Sequence, residues 1–386
     1  MTSRSLLISR AFAATSFWAG LSILISTDLQ AAATYPPPLS VETLNGKLSA
    51  TLDADARAAL QRQNISSSLI VEIGGKVVLK AGYGWANRER RIPFTTRTIA
   101  QIDSLSKQFT AMAVVALWQG GKVDFSKPVK AYLPQTAEPV ASVTLDQLLT
   151  HTSGMPLYCG DDFALQSKTT LLSKCAAKPL AFRPGSKFAY SNPEYSILGV
   201  LVEKISGESL DTFIKQRFFK PIGMHDTGYD FPDVPRGRFA LGYLGSQTRQ
   251  PSDRRFAPLH GNYWNAKGNA GMQASPDDMQ RWYHALSSSA AITPKMLEQA
   301  LRPRFRENDD IWSAYGWNVR VEHGRVVQVS HSGSDDAFLS YFYWRPYERT
   351  FLYFVSNSGT VPAVTLLRKI LEDINCPGGG RCVPAP

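Results

Sequence analysis

The chain is poor in the residues that hold metals, with four cysteines and six histidines among 386 residues. No cysteine pair has zinc-ligand spacing, and no His-Glu-x-x-His occurs. No metal or other cofactor is therefore expected. No Gly-x-Ser-x-Gly occurs, so an α/β-hydrolase nucleophile elbow is not supported. A glycine-rich phosphate loop and internal repeats are also missing, which disfavours nucleotide sites, solenoids and propellers. Lys and Arg exceed Asp and Glu by 10 (42 against 32), a bias towards anionic surroundings. There is no long basic run. The densest stretches, Arg88–Arg91 and Arg302, Arg304 and Arg306, read as solvated faces. No nucleic-acid partner is expected.

What is present is ordinary globular composition, 44% hydrophobic and 19% charged. Residues 1–33 read as a secretory signal peptide. Arg4 and Arg10 precede an uncharged apolar stretch, Ala11 to Ser26, and Ala31-Ala32-Ala33 offers a cleavage site. The apolar stretch is short for a spanning helix, and no second one could cross a membrane. A periplasmic or secreted protein is expected, with no stable membrane span after cleavage. Cys159, Cys175, Cys376 and Cys382 form an even set, as in exported chains. Three pairings are possible. Loop closure favours Cys159–Cys175 and Cys376–Cys382.

Val41 to Gln63 reads as an amphipathic helix. Strands follow near Ser67–Ile73 and Val77–Gly82, with Gly74-Gly75 as a hairpin signal. A helical pattern runs from Ser104 to Gly120-Gly121. Thr144 to Gln147 is a capping box, Tyr195 to Ile205 is helical, and Ser275-Pro276-Asp277-Asp278 opens another helix. Strands are expected again at Tyr315–Val321, Arg325–Ser330, Ala337–Trp344 and Thr350–Ser356, then a closing helix, Pro362 to Ile374. The expected fold is α+β: an antiparallel sheet built from both chain ends and flanked by helices, plus a mainly helical second lobe. The domain would span 34–386, with a sheet lobe (34–103 and 310–386), a helical lobe (104–309) and a cleft between them.

Three short motifs can carry chemistry. In Ser104-Leu105-Ser106-Lys107 a serine in a first helical turn has a lysine three residues on, on the same face. A buried amine beside a hydroxyl can activate it. A capping serine with a solvent-facing lysine has the same spacing. In Tyr190-Ser191-Asn192 the phenol can act as a base beside an ammonium, and Asn192 can bind an amide. A loop tyrosine and a turn asparagine look alike. In His331-Ser332-Gly333 a strand end meets a glycine that lets a substrate backbone lie close, or simply turns the chain. The amides of Ser104 and Ser334 could donate to one oxyanion.

Taken together and in this order, the three motifs resemble the serine β-lactamase and penicillin-binding-protein superfamily. The likeness is closest to its branch of class C β-lactamases, D-alanyl-D-alanine carboxypeptidases and β-lactamase-like esterases. Leu148 to Met155, Tyr190 to Tyr195 and Gly271 to Ser275 are similar to that branch as well. The resemblance implies Ser104 as acylated nucleophile, Lys107 as proton-removing partner and Tyr190 as general base, then acid. It further implies Asn192, His331, Gly333 and Ser334 as substrate-binding positions. Which of Lys107 and Tyr190 takes the proton stays open.

Where many β-lactamases carry lysine this chain has His331, which leans towards peptidase or esterase. With a usual pKa of about 6.5, His331 would favour anionic substrates below about that pH. His151 is expected to serve as a structural hydrogen-bonding group, and His225, His260, His284 and His323 show no pairing. The expected function is an exported serine hydrolase forming an acyl-enzyme on amide, peptide or β-lactam carbonyls. Its partner would be a small-molecule or cell-wall peptide substrate. The alternatives are an esterase of small acyl esters, or a non-catalytic cell-wall-binding module.

Overall fold

The structure is a computed structural model that describes residues 38–376, without 162–163, 232, 245–246, 249–262 and 309. The expected leader, His260 and Cys382 lie outside the described residues. Nine strands form one sheet: β1 (Leu39–Leu44), β2 (Ser67–Ile73), β3 (Lys76–Tyr83), β4 (Phe305–Arg306), β5 (Ile311–Ser313), β6 (Asn318–Glu322), β7 (Arg325–Ser334), β8 (Leu339–Arg345) and β9 (Thr350–Ser356). Their order is β1-β3-β2-β9-β8-β7-β6-β5-β4, with every neighbour antiparallel. The sheet is therefore assembled from both chain ends, as expected.

Strand alternation sorts side chains between two faces. On β9, Leu352 and Phe354 face a core shared with α1 (Gly46–Gln63) and the closing helix α7 (Val361–Asn375). Phe351, Tyr353 and Val355 face the larger core, which runs into the helical middle of the chain. Both faces of β9 are buried, at roughly 1.5–3 kcal/mol per large apolar side chain. The helical middle contributes α2 (Ser106–Gln119), α3 (Leu145–Leu149), α4 (Lys168–Ala176), α5 (Asn192–Ser206) and α6 (Pro276–Ser288). Helix α2 is buried from Ser106 to Val115, so it is a core helix and not a surface one. The capping box forms: Thr144 and Gln147 satisfy each other's backbone amides at 3.0 and 3.2 Å. At the start of α6, Ser275 accepts from the Asp278 amide at 3.2 Å.

Two expectations change. Val41–Leu44 is strand β1, not helix, because Val41 pairs with Ala81 and Leu44 with Leu79; the helix starts only at Gly46. The expected strand Tyr315–Val321 begins at Asn318. Before it, Ala314 donates to the Trp317 carbonyl at 2.9 Å and closes a turn. In that turn Gly316 has φ +82°, and a Cβ there would stand 2.8 Å from the Lys107 carbonyl. Close approach to α2 therefore overrides the strand pattern. The disulfide Cys159–Cys175 is present and ties the loop before α4 to that helix. No described helix is long and apolar enough to cross a membrane.

Candidate active site

Ser104 sits in a short 3-10 turn, Asp103–Leu105, that runs directly into α2. Asp103 has φ +47°, a left-handed conformation that a non-glycine residue adopts at some cost. Distant segments hold the turn. The Ile102 amide donates to the Met272 carbonyl at 3.1 Å, and the Ser340 hydroxyl to the Ile102 carbonyl at 2.9 Å. Ser106 donates to the Asp103 carbonyl at 2.6 Å. Ser104 itself stays partly exposed.

One helical turn on, Lys107 is fully buried. Its Nζ donates to Ser104 Oγ at 3.0 Å, Asn192 Oδ1 at 2.8 Å and the Asn269 carbonyl at 3.0 Å. Three donors meet three oxygens, which is the full capacity of an ammonium. The same Nζ lies 4.8 Å from the Tyr190 ring centre. Ser104 beside the Tyr190 phenol favours its ionised form. Enclosure outweighs that pull and pushes the phenol above its usual pKa. Asn192 opens α5, and its Oδ1 accepts from Lys107.

On the facing strand, His331 is buried and donates from Nδ1 to the Ser332 carbonyl at 2.7 Å. Burial, with Lys107 adding to it, pulls its pKa down to about 4. His331 is thus neutral far below the pH of about 6.5 at which a free imidazole ionises. The expected gain for anionic substrates below that pH does not follow. Gly333 also has a different reason from the expected one. A Cβ there would meet the Ile102 carbonyl oxygen at 2.0 Å, so the missing side chain lets β7 press against the Ser104 turn. Ser334 ends β7 at an exposed position.

The structure thus brings Ser104, Lys107 and Asn192 into one hydrogen-bonded cluster, with Tyr190 and His331 beside it; the Tyr190 and His331 rings stand 6.4 Å apart. A family model described as Beta-lactamase matches residues 49–373. The chain belongs to the beta-lactamase family. Penicillin-binding protein 4* of Bacillus subtilis (strain 168) is 28% identical over 291 residues, 71% of this chain and 64% of that protein. Protein flp of Staphylococcus aureus (strain NCTC 8325 / PS 47) is 26% identical over 331 residues, 82% of this chain and 64% of that protein. The chain thus spans 64% of the length of both relatives. A penicillin binding protein from Bacillus halodurans superimposes with a TM-score of 0.70 at 26% identity, over 82% of this chain and 98% of that one. The Beta-Lactamase/D-Alanine Carboxypeptidase from Pseudomonas syringae shares the fold, with a TM-score of 0.73 at 20% identity, over 84% and 98%.

In this beta-lactamase family member several polar groups at the site escaped the sequence reading. Asn269 supplies the third acceptor to Lys107 through its backbone, which no side-chain motif announces. Glu194 is fully buried and bonds to His151 Nδ1 and Ser153 Oγ. An acid two residues beyond Asn192, in an otherwise apolar helix start, is the signal that could have found it. Glu307 lines a small hollow together with His151, Tyr190, Asn318 and His331, and burial lifts its carboxyl to about 7. His284, unpaired in the sequence reading, bonds to Glu72 at 2.9 Å. Among the described residues no cluster of His, Cys, Asp and Glu could hold a metal ion.

Proposed function

We propose that this protein is a serine hydrolase that forms an acyl-enzyme on Ser104. The observation that carries the reading is that Ser104 Oγ accepts from Lys107 at 3.0 Å, with the ring of Tyr190 beside the same Nζ, 4.8 Å from its centre. A hydroxyl held between an ammonium and a phenol has a proton path out and a positive charge beside the oxygen left behind. The Lys107–Tyr190 pair must first lose one proton. It then takes the Ser104 proton as Oγ bonds to the substrate carbonyl carbon. The amides of Ser104 and Ser334 hold the resulting oxyanion. As the carbon–leaving-group bond breaks, the pair returns the proton to the leaving group. Water then repeats the sequence and frees Ser104. Asn192 directs its amide protons at a substrate carbonyl, and Gly333 keeps β7 close.

Amide, peptide or β-lactam carbonyls are the proposed substrates, in keeping with the names of the relatives and neighbours. The neutral state of His331 favours a second reading, hydrolysis of small acyl esters, because position 331 then presents no cation to a substrate carboxylate. Export is part of the proposal, and the Cys159–Cys175 disulfide supports it. The test is mass spectrometry after a fluorophosphonate and after a β-lactam. One adduct on Ser104, absent in Ser104→Ala at unchanged melting temperature, is expected. No adduct with either probe would turn the reading towards a wall-binding module. Relative kcat/KM on a chromogenic cephalosporin, a D-alanyl dipeptide and a p-nitrophenyl ester then separates the hydrolase branches.

A further inference from the structure

The Tyr190 ring lies against the ring of His151, their centres 4.3 Å apart. His151 is buried, with φ +58°, in the turn after α3. Two groups converge on its Nδ1: the Ser191 amide at 3.3 Å and the carboxyl group of Glu194. An amide can only donate, so Nδ1 is an acceptor there. An unprotonated Nδ1 has no hydrogen to give Glu194, and two bare acceptors in contact would repel. The proton between them must therefore belong to Glu194. Its other oxygen accepts from the Ser153 hydroxyl. The imidazole is then neutral, with its hydrogen on Nε2.

We propose that Glu194 is a buried, neutral carboxylic acid that donates to His151 Nδ1, fixes the imidazole in one tautomer and orientation, and through that ring positions Tyr190. Glu194 is a positioning residue; this role rests on the reading of Tyr190 as part of the proton-transfer pair. The titratable groups around the two side chains are Lys107 on α2, His331 on β7, Tyr190 just before α5, Tyr195 on α5, and Glu307, which lines the same hollow as His151. Lys107 and the N-terminal end of α5 both favour an ionised Glu194. Complete burial opposes ionisation and raises its pKa well above the ordinary value, while His151 is moved well below its own. Both directions agree with the hydrogen-bond logic. The device keeps a carboxylate away from this side of Tyr190, so Glu194 does not offset the ammonium of Lys107.

The test compares Glu194→Gln, Glu194→Asp and Glu194→Leu in the full chain. Gln supplies an N–H donor for His151 and a carbonyl acceptor for Ser153; Asp keeps a carboxyl group but is one methylene too short. We expect kcat to fall on the order of 10²-fold in Asp and Leu, as for a misplaced base, with KM little changed. Gln should exceed both by tenfold or more. Nitrogen NMR of labelled histidine should show His151 as the Nε2–H tautomer in wild type and Gln, and mixed tautomers in Leu. Asp outperforming Gln, or a protonated Nδ1 in wild type at neutral pH, overturns the proposal. Equal kcat in all three variants, with only melting temperatures changed, overturns it too. Ser104 labelling by the fluorophosphonate is read in the same samples. Its loss in wild type, unlike a changed order among variants, would instead sink the acyl-enzyme reading.

Discussion

Lys107 on α2 and Glu194 at the start of α5 are both fully buried, yet their partners are of opposite kinds. Lys107 meets three oxygens that accept from it, two of which, Asn192 Oδ1 and the Asn269 carbonyl, can do nothing else. Glu194 meets a hydroxyl and an imidazole nitrogen already taken by an amide. An isolated buried charge costs several kcal/mol, so it persists only where its surroundings complement it. Around Lys107 they do. Around Glu194 a proton stays on the acid. Burial by itself therefore does not decide whether a group is charged; the count of donors and acceptors around it does.

The hardest blow to this contrast is Lys107→Met. It empties the charged side and leaves Asn192 Oδ1 and the Asn269 carbonyl without their donor. Acylation of Ser104, followed by single-turnover kinetics, should fall on the order of 10⁴-fold or more, as when a member of a catalytic unit is lost. Tyr190→Phe keeps the ring between the two clusters but removes its proton. It should cost about 10²–10⁴-fold in kcat. Near-normal turnover would mean that Lys107 alone carries the proton.

Gly333→Ala tests the packing under the charged cluster. The added carbon would stand 2.0 Å from the Ile102 carbonyl oxygen. Backbone cannot yield cheaply, so a stability loss of at least about 1–3 kcal/mol is expected from thermal melting. Turnover should drop with it, since the same carbonyl belongs to the Ser104 turn.

The mildest prediction concerns pH. His331 is a second imidazole kept neutral by burial, with its folded pKa of about 4 below the usual value. As pH falls below about 6.5 the unfolded chain binds a proton that the folded one refuses, so stability drops down to about pH 4. The loss is on the order of 3 kcal/mol, and none arises above that window. Melting temperature against pH should be flatter in His331→Asn than in wild type. A KM for anionic substrates that steps near pH 6.5 would show that His331 ionises as a free imidazole does.

Local pattern made much of the fold readable. Strand β2 and strand β9 follow from β-branched and aromatic runs, the capping box from Thr144 and Gln147, and the end of α5 from Gly207. Strand β1 was not readable, because its mixed exposure becomes a strand only by pairing with β3. Nor was the turn at Gly316, which exists because α2 lies against it. At the site, the spacing of Ser104 and Lys107 puts the two on one helical face whatever else happens.

The sequence alone therefore determined the three short motifs, on which the resemblance to the family rests, and the strand and helix patterns at both chain ends, since these are matters of residue type and local order. Tertiary structure decided what those motifs can do. It brought Tyr190 and His331 to the Ser104 turn, supplied a backbone oxygen from Asn269, and set a hidden acid against His151. Charge state and orientation depend on neighbours from distant segments, and only the folded chain has them.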